Sequence, residues 1–119
     1  MGDSQDLRAR TKQFALRILR LYRALPPGEE ARILGKQLLR SGTSVGANYR
    51  AACRARSKAE FIAKLGIVLE EVDEAVFWLE LLLEDGIVKH EKLAALVTEA
   101  QELTCIFVTS LRTAKGIGA

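Results

Sequence analysis

Six cations stand where a helix would gather them: Lys36, Arg40, Arg50 and Arg54, continued by Arg56 and Lys58. At about 100° per residue the first four, with Arg32, Thr43 and Ala47, fall on one stripe. The chemistry such a stripe offers is phosphate neutralisation. Lysine and arginine displace counterions and give affinity without reading bases. No motif with stacking aromatics accompanies the stripe, since the one nearby ring, Tyr49, lies on a different face. A solvated helix face, or a contact between subunits, would use the same residue types.

The carboxylates Glu70, Glu71, Asp73 and Glu74 resemble a metal-binding cluster. A di-iron helical bundle, however, needs Glu-x-x-His pairs, and His90 is the single histidine. The acidic run reads instead as a solvated face or a partner for basic surfaces. Cys53 and Cys105 have no metal-type spacing and read as buried, reduced thiols. No phosphate loop, dinucleotide fingerprint, zinc-protease pair or nucleophile elbow occurs. The expectation is a protein that is not an enzyme, with no catalytic residue, no metal and no cofactor.

The elements that must position these residues are helices. The chain has 119 residues, 49% apolar and 28% charged, which fits one folded domain over 1–119. Its net charge of +3 hides a separation. Residues 32–64 carry eight cations against Glu60 alone, a balance of +7; residues 65–102 carry ten carboxylates against Lys89 and Lys92, a balance of −8. No apolar leader opens the sequence, and the longest near-apolar run, Ala75 to Leu83, is too short to span a bilayer. The expected location is cytoplasmic, without a membrane or a small-molecule substrate.

Apolar residues recur at spacings of three and four in four segments. Leu7, Thr11, Phe14, Ile18, Leu21 and Leu25 mark a first helix over about 4–24, stopped by Pro26-Pro27. A second begins at Glu29. Ser57-Lys58-Ala59-Glu60 is a capping box opening a third over about 57–85, with Phe61, Leu65, Val68, Val72, Ala75, Leu79 and Leu82 on one face and Gly86 as its stop. Leu93, Leu96, Ala100, Leu103 and Phe107 stripe a fourth over about 89–113. Four amphipathic helices with short links imply an all-α, antiparallel up-down four-helix bundle.

The stretch Leu39 to Asn48, "LRSGTSVGAN", carries loop-type residues, yet the periodicity crosses it unbroken. Leu34, Leu38, Ser41, Val45, Asn48 and Ala52 fall opposite the cations, flanked by Gly35, Leu39, Gly42, Gly46, Tyr49 and Cys53. One continuous helix over about 29–55 is therefore expected. Gly42 and Gly46 each cost about 1 kcal/mol against alanine inside a helix, so they should admit a neighbouring backbone or a large ring, with packing against aromatic rings as the expected arrangement. Ser41 and Asn48 should be structural, with Asn48 bonded to another helix or to a backbone carbonyl.

Helix three is apolar nearly all round between Ala75 and Leu83. Such a helix needs burial on more than one side, so Phe77, Trp78 and Leu81 are expected at a subunit interface. The basic second and acidic third helices suit a head-to-tail ring, in which unlike surfaces meet.

Taken together, "KQLLRSGTSVGAN" and "RSKAEFIAKLGIVLEEVDEAVFWLELL" resemble the 23S rRNA intervening-sequence protein family, also called the four helix bundle protein family. Its pattern is Arg-Ser-x-Ser/Thr-Ile/Val-x-x-Asn, a short basic link, Ser-x-x-Glu-Phe-x-x-x-Leu and a Trp-Leu pair. Here those positions are Arg40, Ser41, Thr43 or Ser44, Val45, Asn48, Ser57, Glu60, Phe61, Leu65, Trp78 and Leu79. The resemblance runs from about Phe14 to Leu111. It implies an up-down bundle that often forms a homopentameric ring. It also implies a likeness to the accessory variability determinant of diversity-generating retroelements, a basic pentamer that binds reverse transcriptase and nucleic acid. The expected function is nucleic-acid binding, of structured RNA above all, with a protein scaffold as the alternative. Where many relatives carry an acidic residue after the Asn, this chain reads Tyr49-Arg50-Ala51-Ala52, which makes helix two more basic.

Overall fold

The computed structural model describes residues 2–116, with side chains from Asp6 onward. Four helices follow in order: α1 (Gly2–Ala24), α2 (Glu29–Cys53), α3 (Lys58–Glu84) and α4 (His90–Lys115). No strand occurs among the described residues. α2 packs most extensively on α3, α1 on α2 and α3 on α4, while the seam between α1 and α4 is the thinnest. The rod measures 45 × 24 × 22 Å, its length set by single helices of 23–27 residues.

Local chemistry sets the helix ends. The Ser57 hydroxyl accepts the Glu60 N–H at 3.0 Å, as the capping box requires. The returning bond is displaced by one residue: the Glu60 carboxylate accepts from the Arg56 N–H at 3.3 Å. α2 stops at Cys53, short of the expected Ala55, because its last turn tightens. The Arg54 and Ala55 N–H groups reach back only three residues, to the Ala51 and Ala52 carbonyls. After α3, Gly86 adopts φ 75°, the left-handed conformation that closes a helix. Ile87 and Val88 then both donate to the Leu82 carbonyl and fold Val88 into the core. α4 continues two residues beyond Thr113 before Gly116 ends it.

The core follows the predicted stripes, with Leu7, Leu21, Leu25 and Leu34 only half-buried at its edge. Phe14 and Ile18 of α1, Leu38 and Val45 of α2, Leu65 to Leu82 of the α3 stripe and the whole α4 stripe are buried. Phe61 is half-buried near the bundle end. Tyr49 of α2 and Phe107 of α4 meet across the core, with ring centroids 5.4 Å apart. α4 is the one described helix long and apolar enough to cross a bilayer by length and composition. Its apolar stripe is instead used inside the bundle, where Leu93, Leu103 and Phe107 are fully buried.

α2 runs unbroken through Leu39 to Asn48 because the polar side chains there bond to their own helix. Ser41 donates to the Gln37 carbonyl, Thr43 to that of Leu39 and the Asn48 amide to that of Ser44. Thr11, which with Ser41 is one of two buried polar residues among those described, does the same to Leu7. Residues that would compete for backbone in a loop are thus satisfied four residues back. No buried side-chain nitrogen or oxygen among the described residues lacks a partner.

The glycines do admit something close, but not aromatic rings at Gly42 and Gly46. A Cβ on Gly42 would stand 2.8 Å from the Ile18 side chain, and one on Gly46 would stand 3.3 Å from the Thr11 carbonyl oxygen. Only Gly35, one helical repeat earlier, faces a ring, that of Tyr22, together with Leu25. The reason is geometric: α1 lies so near α2 that its backbone and a β-branched side chain already fill the groove. At Gly66 an added Cβ would meet nothing within 4 Å. Gly66→Ala should therefore raise unfolding stability by about 0.5–1 kcal/mol, the ordinary helix-propensity gain. Gly42→Ala has the same propensity gain but must displace Ile18, and should lower stability by about 1–3 kcal/mol as overpacking does. Urea unfolding of the two variants checks both signs.

Candidate nucleic-acid interface

The antiparallel topology divides the six cations. Lys36 stands exposed in the first half of α2, Arg40 at its middle, and Arg50, Arg54, Arg56 and Lys58 at one end of the bundle, around the α2–α3 link. All four of the last group are exposed, and none is ion-paired with another described residue. α4 brings two more cations to that end. Its last turns carry Arg112 and Lys115, beyond the Phe107 ring that packs on Tyr49. Arg8, near the start of α1, joins them. Among the residues at this end whose side chains are described, only Asp6 and Glu60 are acidic, and Glu60 is engaged in the cap.

Sequence reasoning missed Arg8, Arg112 and Lys115 because it followed one helix face. Their signal was present as basic residues at the first turns of α1 and the last turns of α4, which any up-down bundle places beside the α2–α3 link.

Arg40 has a different role from the rest of the stripe. Its guanidinium reaches α3, pairing with Glu71 at 3.2 Å and with Glu74. Glu74 also accepts the Trp78 indole N–H at 3.0 Å. The Trp78 bond, and then the Arg40 contact, hold the Glu74 carboxyl below its ordinary range. A depressed carboxylate stabilises the fold above its unfolded pKa, and that contribution fades as pH falls through the folded value. Two members of the acidic run are thus internal partners of α2, while Glu70 and Asp73 remain exposed.

Of the three expected interface residues, Phe77 is 51% exposed, and Trp78 and Leu81 are half-buried within the single chain. The Phe77 and Trp78 rings meet edge to face at 5.0 Å. Ile67, on the same helix, is 41% exposed. Ser41, Gly42 and Gly46 are buried structural positions, and Asn48 is half-buried with its amide on its own helix rather than on another. The cysteines are less buried than expected: Cys53 is half-buried and Cys105 lies exposed on α4. Position 105 falls outside the Leu103–Phe107 stripe, so its side chain points away from the core. Among the described residues no three His, Cys, Asp or Glu side chains are grouped to hold a metal ion.

No curated protein matches the chain. Among solved structures it is similar to a protein of unknown function from the S23 ribosomal protein family of Bacteroides thetaiotaomicron. That likeness has a TM-score of 0.84 and 35% identity, and covers 92% of this chain and 97% of the other. The family model described as 23S rRNA-intervening sequence protein matches residues 4–108, which span all of α2 and α3 and most of α1 and α4. With that match across an all-α chain of four helices, the protein belongs to the 23S rRNA-intervening sequence protein family.

Proposed function

We propose that the protein is a non-enzymatic, oligomeric accessory factor of the cytoplasm that binds structured RNA through the basic end of the bundle. The observation that carries this reading is the cluster of exposed, unpaired cations Arg50, Arg54, Arg56 and Lys58, extended by Arg112 and Lys115 from α4. Six positive charges from three chain segments at one end make a surface patch wider than one helix stripe. Such a patch attracts phosphates at short range and steers them at longer range. Cations without stacking rings recognise the shape of a folded RNA rather than its bases. A nucleic-acid enzyme such as a reverse transcriptase is the corresponding protein partner.

A second reading, a protein scaffold, draws on α3. Phe77 and Ile67 leave apolar surface beside Glu70 and Asp73, and that combination suits contact with a basic surface of another copy. A head-to-tail ring, pentameric by the family resemblance, joins the two readings: α3 would assemble the ring and leave the basic ends of its subunits free for RNA.

A filter-binding titration against salt tests the RNA reading. Each phosphate contact contributes a slope of about 0.7–0.9 in log affinity against log salt. Arg54→Glu, Arg56→Glu and Lys58→Glu combined should flatten the slope by roughly 2–3, while Arg40→Gln, already internally paired, should leave it nearly unchanged. A wild-type affinity insensitive to salt would sink the reading. For the ring, light scattering of the wild type should give a multiple of the 13.1 kDa chain mass. Phe77→Lys should reduce that mass without changing the helical circular dichroism. A monomeric wild type removes the ring.

A further inference from the structure

Among the described residues, polar side chains clamp the seam between α1 and α4 at one level. There the Arg10 guanidinium bonds the Glu99 carboxylate with two nitrogens, at 2.8 and 2.9 Å, and reaches Glu102 at 2.7 Å. Farther along, where α1 runs into Pro26 and α4 begins at His90, the seam opens into a cleft of about 480 Å³. Its lining is apolar: Leu21, Val88, Leu96 and Ile87 form the floor, and Ala24 and Pro26 an exposed lip. Its rim is cationic. Arg17 and Arg20 stand one turn apart on α1, and Lys89 and Lys92 one turn apart at the start of α4. No carboxylate lines the cleft, and none of the four cations is ion-paired with a described residue.

We infer that this cleft binds an acyl chain ending in an anionic head group, a carboxylate or a phosphate. The apolar floor removes the chain from water, and the four cations surround the head. A volume of about 480 Å³ lies within the ~300–1,000 Å³ of small-molecule sites. A bare nucleic-acid backbone would use the cations but leave the apolar floor wet, and a neutral amphiphile would use the floor but not the cations. The site is separate from the basic end, because it lies at the opposite end of α1 and α4 from Arg8, Arg112 and Lys115.

Calorimetric titration of the full chain tests the inference with four probes below their micellar concentrations. These are dodecanoate, dodecyl phosphate, dodecyl maltoside as a neutral chain, and inorganic phosphate as a head without a chain. One or both anionic amphiphiles should bind at one per chain, and their ratio identifies the preferred head. The maltoside and inorganic phosphate should bind at least about tenfold more weakly. Arg20→Glu with Lys92→Glu, both exposed positions, should weaken the anionic amphiphiles by a similar factor. Ala24→Trp, which fills the cleft from an exposed lip, should abolish their binding. Equal binding of the maltoside, equal binding of inorganic phosphate, or undiminished binding to Ala24→Trp overturns the inference. A smaller assembly for Ala24→Trp than for the wild type in light scattering also overturns it, because the cleft would then hold a second copy.

Discussion

Gly46 brings the backbones of α1 and α2 close enough that a methyl group would press on the Thr11 carbonyl, and Gly42 receives Ile18 in the same way. Much of the remaining architecture depends on that approach. It places Phe14 and Ile18 deep in the core although α1 makes little contact with α4. It also requires the neighbouring polar side chains to be small and self-satisfied, which Thr11 and Ser41 achieve by bonding to carbonyls four residues back. Larger residues on this face would push α1 outward and expose apolar core. The helix-propensity penalty of glycine is therefore the local side of a larger packing gain.

Drawing α1 toward α2 has a counterpart on its other side. The α1–α4 seam is left thin, closed by the Arg10 clamp at one level and open over the cleft beyond it. Arg10 is 36% exposed, so the clamp fixes the position of α4 more than it stabilises the fold. The two grooves beside α1 thus differ in kind: one filled by backbone, the other left as space.

Charge is partitioned by the same geometry. Near the middle of the rod, α2 and α3 meet through Arg40, Glu71, Glu74 and Trp78, which links the basic helix to the acidic one within a single chain. At the end of the rod the acidic partners run out, and Arg50, Arg54, Arg56 and Lys58 face solvent. Position along the helix, rather than membership of a stripe, separates cations that hold the fold from cations free to meet a ligand.

Helix number, approximate helix limits and the buried stripes of α3 and α4 were legible in the sequence, because a 3.6-residue period and a capping box are local signals. The continuity of α2 through Leu39 to Asn48 was legible for the same reason: the alternation of small, apolar and basic residues keeps helical phase. The basic character of the α2–α3 link was equally plain. Three things were decided only by the tertiary structure. Gly42 and Gly46 face Ile18 and Thr11, since the partner of a small residue depends on which helix lies opposite and in what register. Arg40 is paired with α3, and Arg112 and Lys115 come to the same end of the bundle as Arg54, because residues tens of positions apart are brought together only after the chain turns back. The cleft between α1 and α4 likewise exists only through the uneven spacing of four packed helices. A single sequence carries periodicity along each helix but not the distances between helices, and those distances are set by the side chains that happen to meet.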